Sequence, residues 1–109
     1  MSDPENRVRD LTPQEVAQGL QDGSMILVDV REPNETALER FPDAMLLPLS
    51  AFDPAAIPQT EGRAVVFACR SGRRSVSAAL AAQAQGFAYD RHLAGGLLAW
   101  KAAGLPTQT

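Results

Sequence analysis

Two runs, Met25-Ile26-Leu27-Val28-Asp29-Val30 and Arg63-Ala64-Val65-Val66-Phe67-Ala68, are apolar at almost every position. A strand with one wet face alternates apolar and polar residues; a continuous run suits a strand covered on both faces of a parallel sheet. Helical patterns separate such runs. Thr12-Pro13-Gln14-Glu15 supplies an N-cap, a proline at the first helical position and a capping-box glutamate. It predicts a helix to about residue 21, with Val16 and Leu20 inward and Gly23 ending it. A second helix is predicted from about Arg74 to Gln85, closed by Gly86, and a last one over residues 97–103, opened by Gly95-Gly96 and closed by Gly104. Shorter strands are expected at residues 8–11, 44–49 and 87–93, with residues 33–41 part helix and 50–57 holding a helical turn. Strands alternating with helices at this spacing indicate a single α/β domain with a mainly parallel sheet flanked by helices. Residues 1–6 read as a flexible tail and 107–109 as a frayed end.

The second apolar run leads into Cys69-Arg70-Ser71-Gly72-Arg73-Arg74-Ser75. A strand, a tight loop and a helix N-terminus make a concave patch of backbone N–H groups, to which the helix dipole adds positive potential. A thiol at the mouth of that patch ionises more readily, and the thiolate is the nucleophile. Clustered arginines repel one another, so Arg70, Arg73 and Arg74 call for an anion among them. Charge is also unevenly spread. Residues 1–62 carry a balance of −8 and residues 63–109 a balance of +5, within a net charge of −3. Six cations over the second segment, without a set of stacking aromatics, fit a local anion site rather than nucleic acid.

Cys69 is the only cysteine of 109 residues. An internal disulfide is ruled out, and so is a resolving thiol in the same chain; covalent sulfur chemistry must be completed by an outside molecule. The N-terminal residues lack the layout of a signal peptide, and no apolar run reaches the length of a membrane helix. These features point to the cytoplasm, and the lack of an apolar stripe points to a monomer. His92 is the only histidine, so no metal-ligand set is present, and it is expected to be a surface or packing residue rather than a base. Nucleotide-binding fingerprints are absent, and Gly95-Gly96 precedes a helix of ordinary type. Asp29 stands at the carboxyl end of its strand, where sites form in open parallel sheets. A single carboxylate without a partner is read as supporting the site rather than reacting, together with Arg31 and Glu32.

Four segments resemble, in order, a single-domain rhodanese of the thiosulfate sulfurtransferase type. They are Leu27-Val28-Asp29-Val30-Arg31-Glu32; Phe41-Pro42-Asp43-Ala44 with Leu47-Pro48; the Cys69–Ser75 loop; and Leu93-Ala94-Gly95-Gly96 with Ala99-Trp100 and Ala103-Gly104-Leu105-Pro106. The resemblance covers residues 7–106 and implies a five-stranded sheet and a sulfurtransferase. Cys69 would take a sulfane sulfur from a small anionic donor such as thiosulfate. The resulting persulfide would pass sulfur to cyanide, a thiol or a protein acceptor, with no cofactor. Residues Cys69, Arg70, Ser71, Gly72, Arg73 and Arg74 would curl their N–H groups toward the sulfur, with Ser75 opening the helix. Arg70 and Arg73 would attract the donor, and Arg74 would turn inward to Asp29 or Glu32.

One segment departs from the family pattern. Where members carry Gly-His-Ile-Pro-Gly-Ala, this chain reads Glu39-Arg40-Phe41-Pro42-Asp43-Ala44. Aspartate in place of a glycine at 43 calls for a different turn, because glycine reaches positive φ at less cost. Two other readings compete. Cysteine-based phosphatases and arsenate reductases use a similar loop, but with an arginine six positions after the cysteine, where this chain has Ser75. A non-catalytic rhodanese-like binding or regulatory module is the other; such modules usually lose the cysteine or disorder its loop, and Cys69 with its arginines is present.

Overall fold

The computed structural model describes residues 8–58 and 62–109. The expected tail at residues 1–6 lies outside them. Five strands, β1 (Arg9–Leu11), β2 (Met25–Asp29), β3 (Met45–Leu46), β4 (Ala64–Ala68) and β5 (Arg91–Leu93), form one sheet in the order β1-β5-β4-β2-β3. Every pairing is parallel. Among the described residues four α-helices accompany them: α1 (Pro13–Asp22), α2 (Pro33–Thr36), α3 (Arg74–Ala84) and α4 (Gly96–Ala102).

Local chemistry sets the boundaries of α1. Thr12 Oγ1 accepts the Glu15 N–H at 3.1 Å, and Glu15 Oε1 accepts the Thr12 N–H at 2.9 Å. The two bonds satisfy donors that a helix start leaves orphaned. Gly23, at φ 80°, turns its N–H back to the Gly19 carbonyl and ends the helix. Val16 is buried as expected, but Gly19 rather than Leu20 is the second fully buried position, with Leu20 half-buried.

The continuous runs face two cores. Val28 and Val30 of the β2 run, with Val65 and Phe67 of β4, pack on one face against Ala78, Ala79 and Ala82 of α3. Leu27, Val66 and Ala68 pack on the other against Val16 of α1 and Leu97 and Trp100 of α4. Alternate residues of one strand therefore meet different helices, which is why neither run can afford a polar alternation. The alanines of α3 let its axis lie close to the sheet.

Three expected strands are shorter than predicted. Residues 44–49 contribute only Met45–Leu46 before Pro48 removes a ladder donor. Residues 87–93 contribute only Arg91–Leu93, and before them Phe87 and Tyr89 stack on each other at 5.4 Å. Residues 8–11 contribute Arg9–Leu11. The turn over residues 50–57 resolves into two 3-10 turns, Leu49–Ala51 and Pro54–Ala56. The chain end is tied down rather than frayed, since Arg40 and Gln108 exchange N–H to carbonyl bonds at 2.8 Å in both directions. Asp43 takes the glycine-like conformation itself, at φ 58°, so the turn keeps its hand despite the aspartate. Short polar residues tolerate that region better than most.

The strand order places a switch point between β2 and β4. The chain leaves β2 toward β3 on one side and leaves β4 toward β5 on the other. The crevice at the carboxyl ends of two such strands is where open parallel sheets bind ligands. Cys69 follows β4 there, and Arg31 and Glu32 follow β2.

Candidate active site

Cys69 is 1% exposed at the floor of the loop. Gly72 donates its N–H to Sγ at 3.0 Å, and Sγ lies 3.5 Å from Ser75 Oγ. Burial pushes the thiol pKa up. The Ser75 hydroxyl and the N–H groups of Ser75, Gly72 and Ser71 outweigh it, and the thiol is held below its ordinary value. Hydrogen bonds to the charged form have that effect. Arg70, Ser71 and Arg73 are exposed around the opening, Gly72 and Arg74 are half-buried and Ser75 is fully buried. Neither Arg70 nor Arg73 makes a salt bridge among the described residues. Two guanidinium groups are thus left unneutralised at the mouth.

The loop is held from outside by α4. Leu97 donates its N–H to the Cys69 carbonyl at 2.8 Å, and Leu98 donates to the Arg70 carbonyl at 3.1 Å. With these carbonyls turned away, the loop N–H groups are left to face the sulfur. The approach requires Gly96, where a Cβ would stand 2.4 Å from the Cys69 oxygen. It also brings Gly72, at φ 98°, against Gly95, with a Cβ at 72 meeting the Gly95 nitrogen at 3.0 Å. Gly95-Gly96 therefore belongs to the site, although in sequence it looked like the start of an ordinary helix.

Arg74 does not turn toward Asp29 or Glu32. Its guanidinium makes a bidentate pair with Glu35 of α2, at 2.5 and 2.8 Å. The Arg74 bond holds the Glu35 carboxyl down at about 2, against some opposition from burial. The Arg74 pKa is raised by the same bond, and the nearby Cys69 raises it a little further. Asp29 is already taken by Arg31, whose Nη2 donates at 2.9 Å and whose Nε donates at 3.1 and 3.2 Å; both side chains are buried. Arg31 also donates to the Glu39 carbonyl at 2.9 Å and lies over the Phe41 ring. Glu32 accepts from the Ser50 hydroxyl and N–H. Asp29, Arg31 and Glu32 thus brace the crevice wall, and none of them hydrogen-bonds Cys69 among the described residues.

His92 is buried, at 4% exposure, and is not a surface residue. Its Nδ1 lies 2.8 Å from Ser75 Oγ and its Nε2 lies 2.6 Å from Asp10 Oδ1. Sequence reading missed Asp10 altogether, because the partners stand 82 positions apart and meet only through the β1–β5 register. Among the described residues no cluster of three or more potential metal ligands occurs, and no helix is long and apolar enough to cross a membrane.

The family model of the rhodanese-like domain matches residues 12–103. The chain belongs to the rhodanese-like domain family. A protein of Allochromatium vinosum named sulfurtransferase is 36% identical over 100 residues, covering 91% of this chain and 94% of its own. An uncharacterised Synechocystis protein is 46% identical over 97 residues, covering 89% of this chain and 54% of its own, so the chain spans about half of that relative. Among solved structures, the human single-domain sulfurtransferase aligns with a TM-score of 0.72 at 28% identity, over 85% of this chain and 95% of that one. A Rhodopseudomonas palustris protein described as a possible tyrosine phosphatase aligns with a TM-score of 0.79 at 28% identity, over 93% and 85%. The rhodanese-like match spans all four sequence segments, apart from the Ala-Gly-Leu-Pro ending, of which only Ala103 lies inside it.

Proposed function

We propose that this domain is a sulfurtransferase that carries sulfur as a persulfide on Cys69. The observation that carries the reading is the Cys69 sulfur held among inward N–H groups, with Gly72 N–H at 3.0 Å. In the first half-reaction, the Cys69 thiolate attacks the outer sulfur of a thiosulfate-type donor. The Sγ–S bond forms, the donor's S–S bond breaks, and sulfite leaves with the electron pair. In the second, an acceptor nucleophile such as cyanide, a thiolate or a protein cysteine attacks the outer sulfur and Cys69 leaves as thiolate. No proton donor to the sulfur is needed, because the cradle stabilises both anionic forms. Arg70 and Arg73 attract the anionic donor at the opening.

The possible-phosphatase neighbour raises the alternative of phosphate chemistry. Ser75 occupies the position where that chemistry needs an arginine, and the preceding Arg74 is engaged by Glu35. Both favour sulfur. The test is intact mass after incubation with thiosulfate. Wild type gains one sulfur atom, cyanide or a small thiol removes it, and Cys69→Ser gains none. A wild-type protein that takes no sulfur from any sulfane donor would leave the domain a binding module.

A further inference from the structure

Four side chains from four elements form a continuous chain from the buried sulfur to solvent. They are Cys69 after β4, Ser75 in α3, His92 in β5 and Asp10 in β1. The steps are 3.5 Å from Sγ to Ser75 Oγ, 2.8 Å to His92 Nδ1, and 2.6 Å from His92 Nε2 to Asp10. Ser75 and His92 are buried, while the Asp10 side chain is 76% exposed. Asp10 and His92 are direct neighbours in the β1–β5 ladder, and His92 is opposite Phe67 of the α3-facing core.

With His92 neutral, the donors and acceptors follow from the partners at each end. The Asp10 carboxylate only accepts, so Nε2 of His92 carries a proton. In the neutral ring Nδ1 is then an acceptor, and the Ser75 hydroxyl donates a hydrogen bond to it. This leaves the Ser75 oxygen lone pairs facing Cys69, ready to accept its S–H. We propose that Ser75 and His92 form a proton relay that ionises Cys69, with Asp10 positioning the imidazole. The thiol proton passes to Ser75 Oγ as the Ser75 proton passes to His92 Nδ1. The products are a Cys69 thiolate and a His92 imidazolium paired with Asp10. The two bonds between Cys69 and His92 then reverse, while Nε2–H goes on donating to Asp10: Nδ1–H donates to Ser75, and Ser75 donates to the thiolate. No atom is lost and no redox partner is needed.

Other charges surround this line without joining it. Arg74 is the only charged residue of α3 and acts on Cys69 through space. Arg70 and Arg73 lie at the loop opening. The Asp29–Arg31 pair sits on the far side of β4, and β4 itself bears no charge. Arg9 and Arg91 adjoin Asp10 and His92 in sequence but alternate to the opposite face of the sheet. His92 is thus the first base along the hydrogen-bonded chain from the sulfur, with Asp10 beyond it.

The relay rests on Cys69 being the nucleophile proposed above, but on no particular donor. Its test is the pH dependence of Cys69 alkylation by iodoacetamide, followed by intact mass. Ser75→Ala and His92→Gln shift the profile upward by about one pH unit, so alkylation near neutrality slows about tenfold. Ser75→Thr, which keeps the hydroxyl, restores the wild-type profile. Asp10→Asn, at an exposed position, moves it less. A folded His92→Gln with the wild-type profile overturns the relay. A second measurement needs no variant. His92 is the only histidine, so its ring nitrogen shifts read its charge directly by NMR. Alkylating Cys69 removes the thiolate and lowers the midpoint of the histidine titration; an unchanged titration overturns the relay. Neither readout uses a sulfur donor. Coupled titration in a protein that takes up no sulfur refutes the sulfurtransferase reading alone, and sulfur uptake without coupling refutes the relay alone.

Discussion

Replacing Asp29 by alanine separates a carboxylate that holds the site's wall from one that takes part in the reaction. Asp29 is 0% exposed and Arg31 3%. The carboxylate accepts three side-chain contacts from Arg31 and the Arg31 N–H at 3.1 Å. Its removal leaves a buried guanidinium with only the Glu39 carbonyl at 2.9 Å and the Phe41 ring. Stranding a buried charge in this way costs about 3–5 kcal/mol. A domain of this size has a total stability of roughly 5–15 kcal/mol, so the variant is marginal. At about 4 °C per kcal/mol, its melting midpoint falls by about 12–20 °C. The double variant Asp29→Leu with Arg31→Met removes both charges and recovers to within about 1 kcal/mol of wild type, because desolvating the pair was itself costly. Urea unfolding followed by circular dichroism measures the wild type and both variants. Cys69 alkylation below the transition reports the site while the chain is folded, and it stays near the wild-type rate. The reasoning is refuted if Asp29→Ala costs less than about 1 kcal/mol while alkylation or sulfur uptake collapses, since the carboxylate would then be acting on the chemistry itself.

Gly96→Ala places a methyl group 2.4 Å from the Cys69 carbonyl oxygen, at φ 60°. Overpacking and the left-handed backbone together cost about 2–5 kcal/mol. Gly104→Ala, at φ 78° with nothing near its Cβ, costs about 1 kcal/mol; equal losses in urea titrations would mean that α4 does not press on the loop. Glu35 contributes in the opposite direction of pH to a histidine. Its folded pKa of about 2 lies below the ordinary 4.5, so its stabilisation is full above the ordinary value and fades as pH falls through the folded one. Solvent reaches both partners, which limits the pair to about 1 kcal/mol. Glu35→Gln should therefore lose that amount near neutrality and nothing in strong acid, and a gap that persists in acid would show that Arg74 is held by something else.

The parts legible in the sequence are those whose cause is local. Thr12 and Glu15 cap α1 within four residues of chain, and the β2 and β4 runs declare burial on both faces by composition alone. The loop from Cys69 to Ser75 shows itself in sequence by one glycine and three arginines between a strand and a helix. What was hidden depends on which elements become neighbours. Arg74 had three acidic candidates within reach of the β2 end, and the choice of Glu35 over Asp29 was made by Arg31, which sits two residues from Asp29 and claims it first. His92 and Asp10 face each other only because β5 lies beside β1, an order that spacing does not encode. Gly96 earns its place through the backbone of another element, and a glycine before a helix carries no mark of that.

The burial of Cys69 also has a steric meaning for a two-step reaction. A bare Sγ with 1% of the residue's surface exposed is reached only by a narrow group arriving end-on. A second sulfur bonded to it stands about 2.05 Å further out, toward the opening between Arg70, Ser71 and Arg73. On the proposed chemistry, the reactive atom in the second step is therefore nearer the rim than in the first. On that chemistry an acceptor would not have to reach as far in as a donor does. The pocket would in this way tell its two partners apart by reach, with the cargo itself serving as the extension.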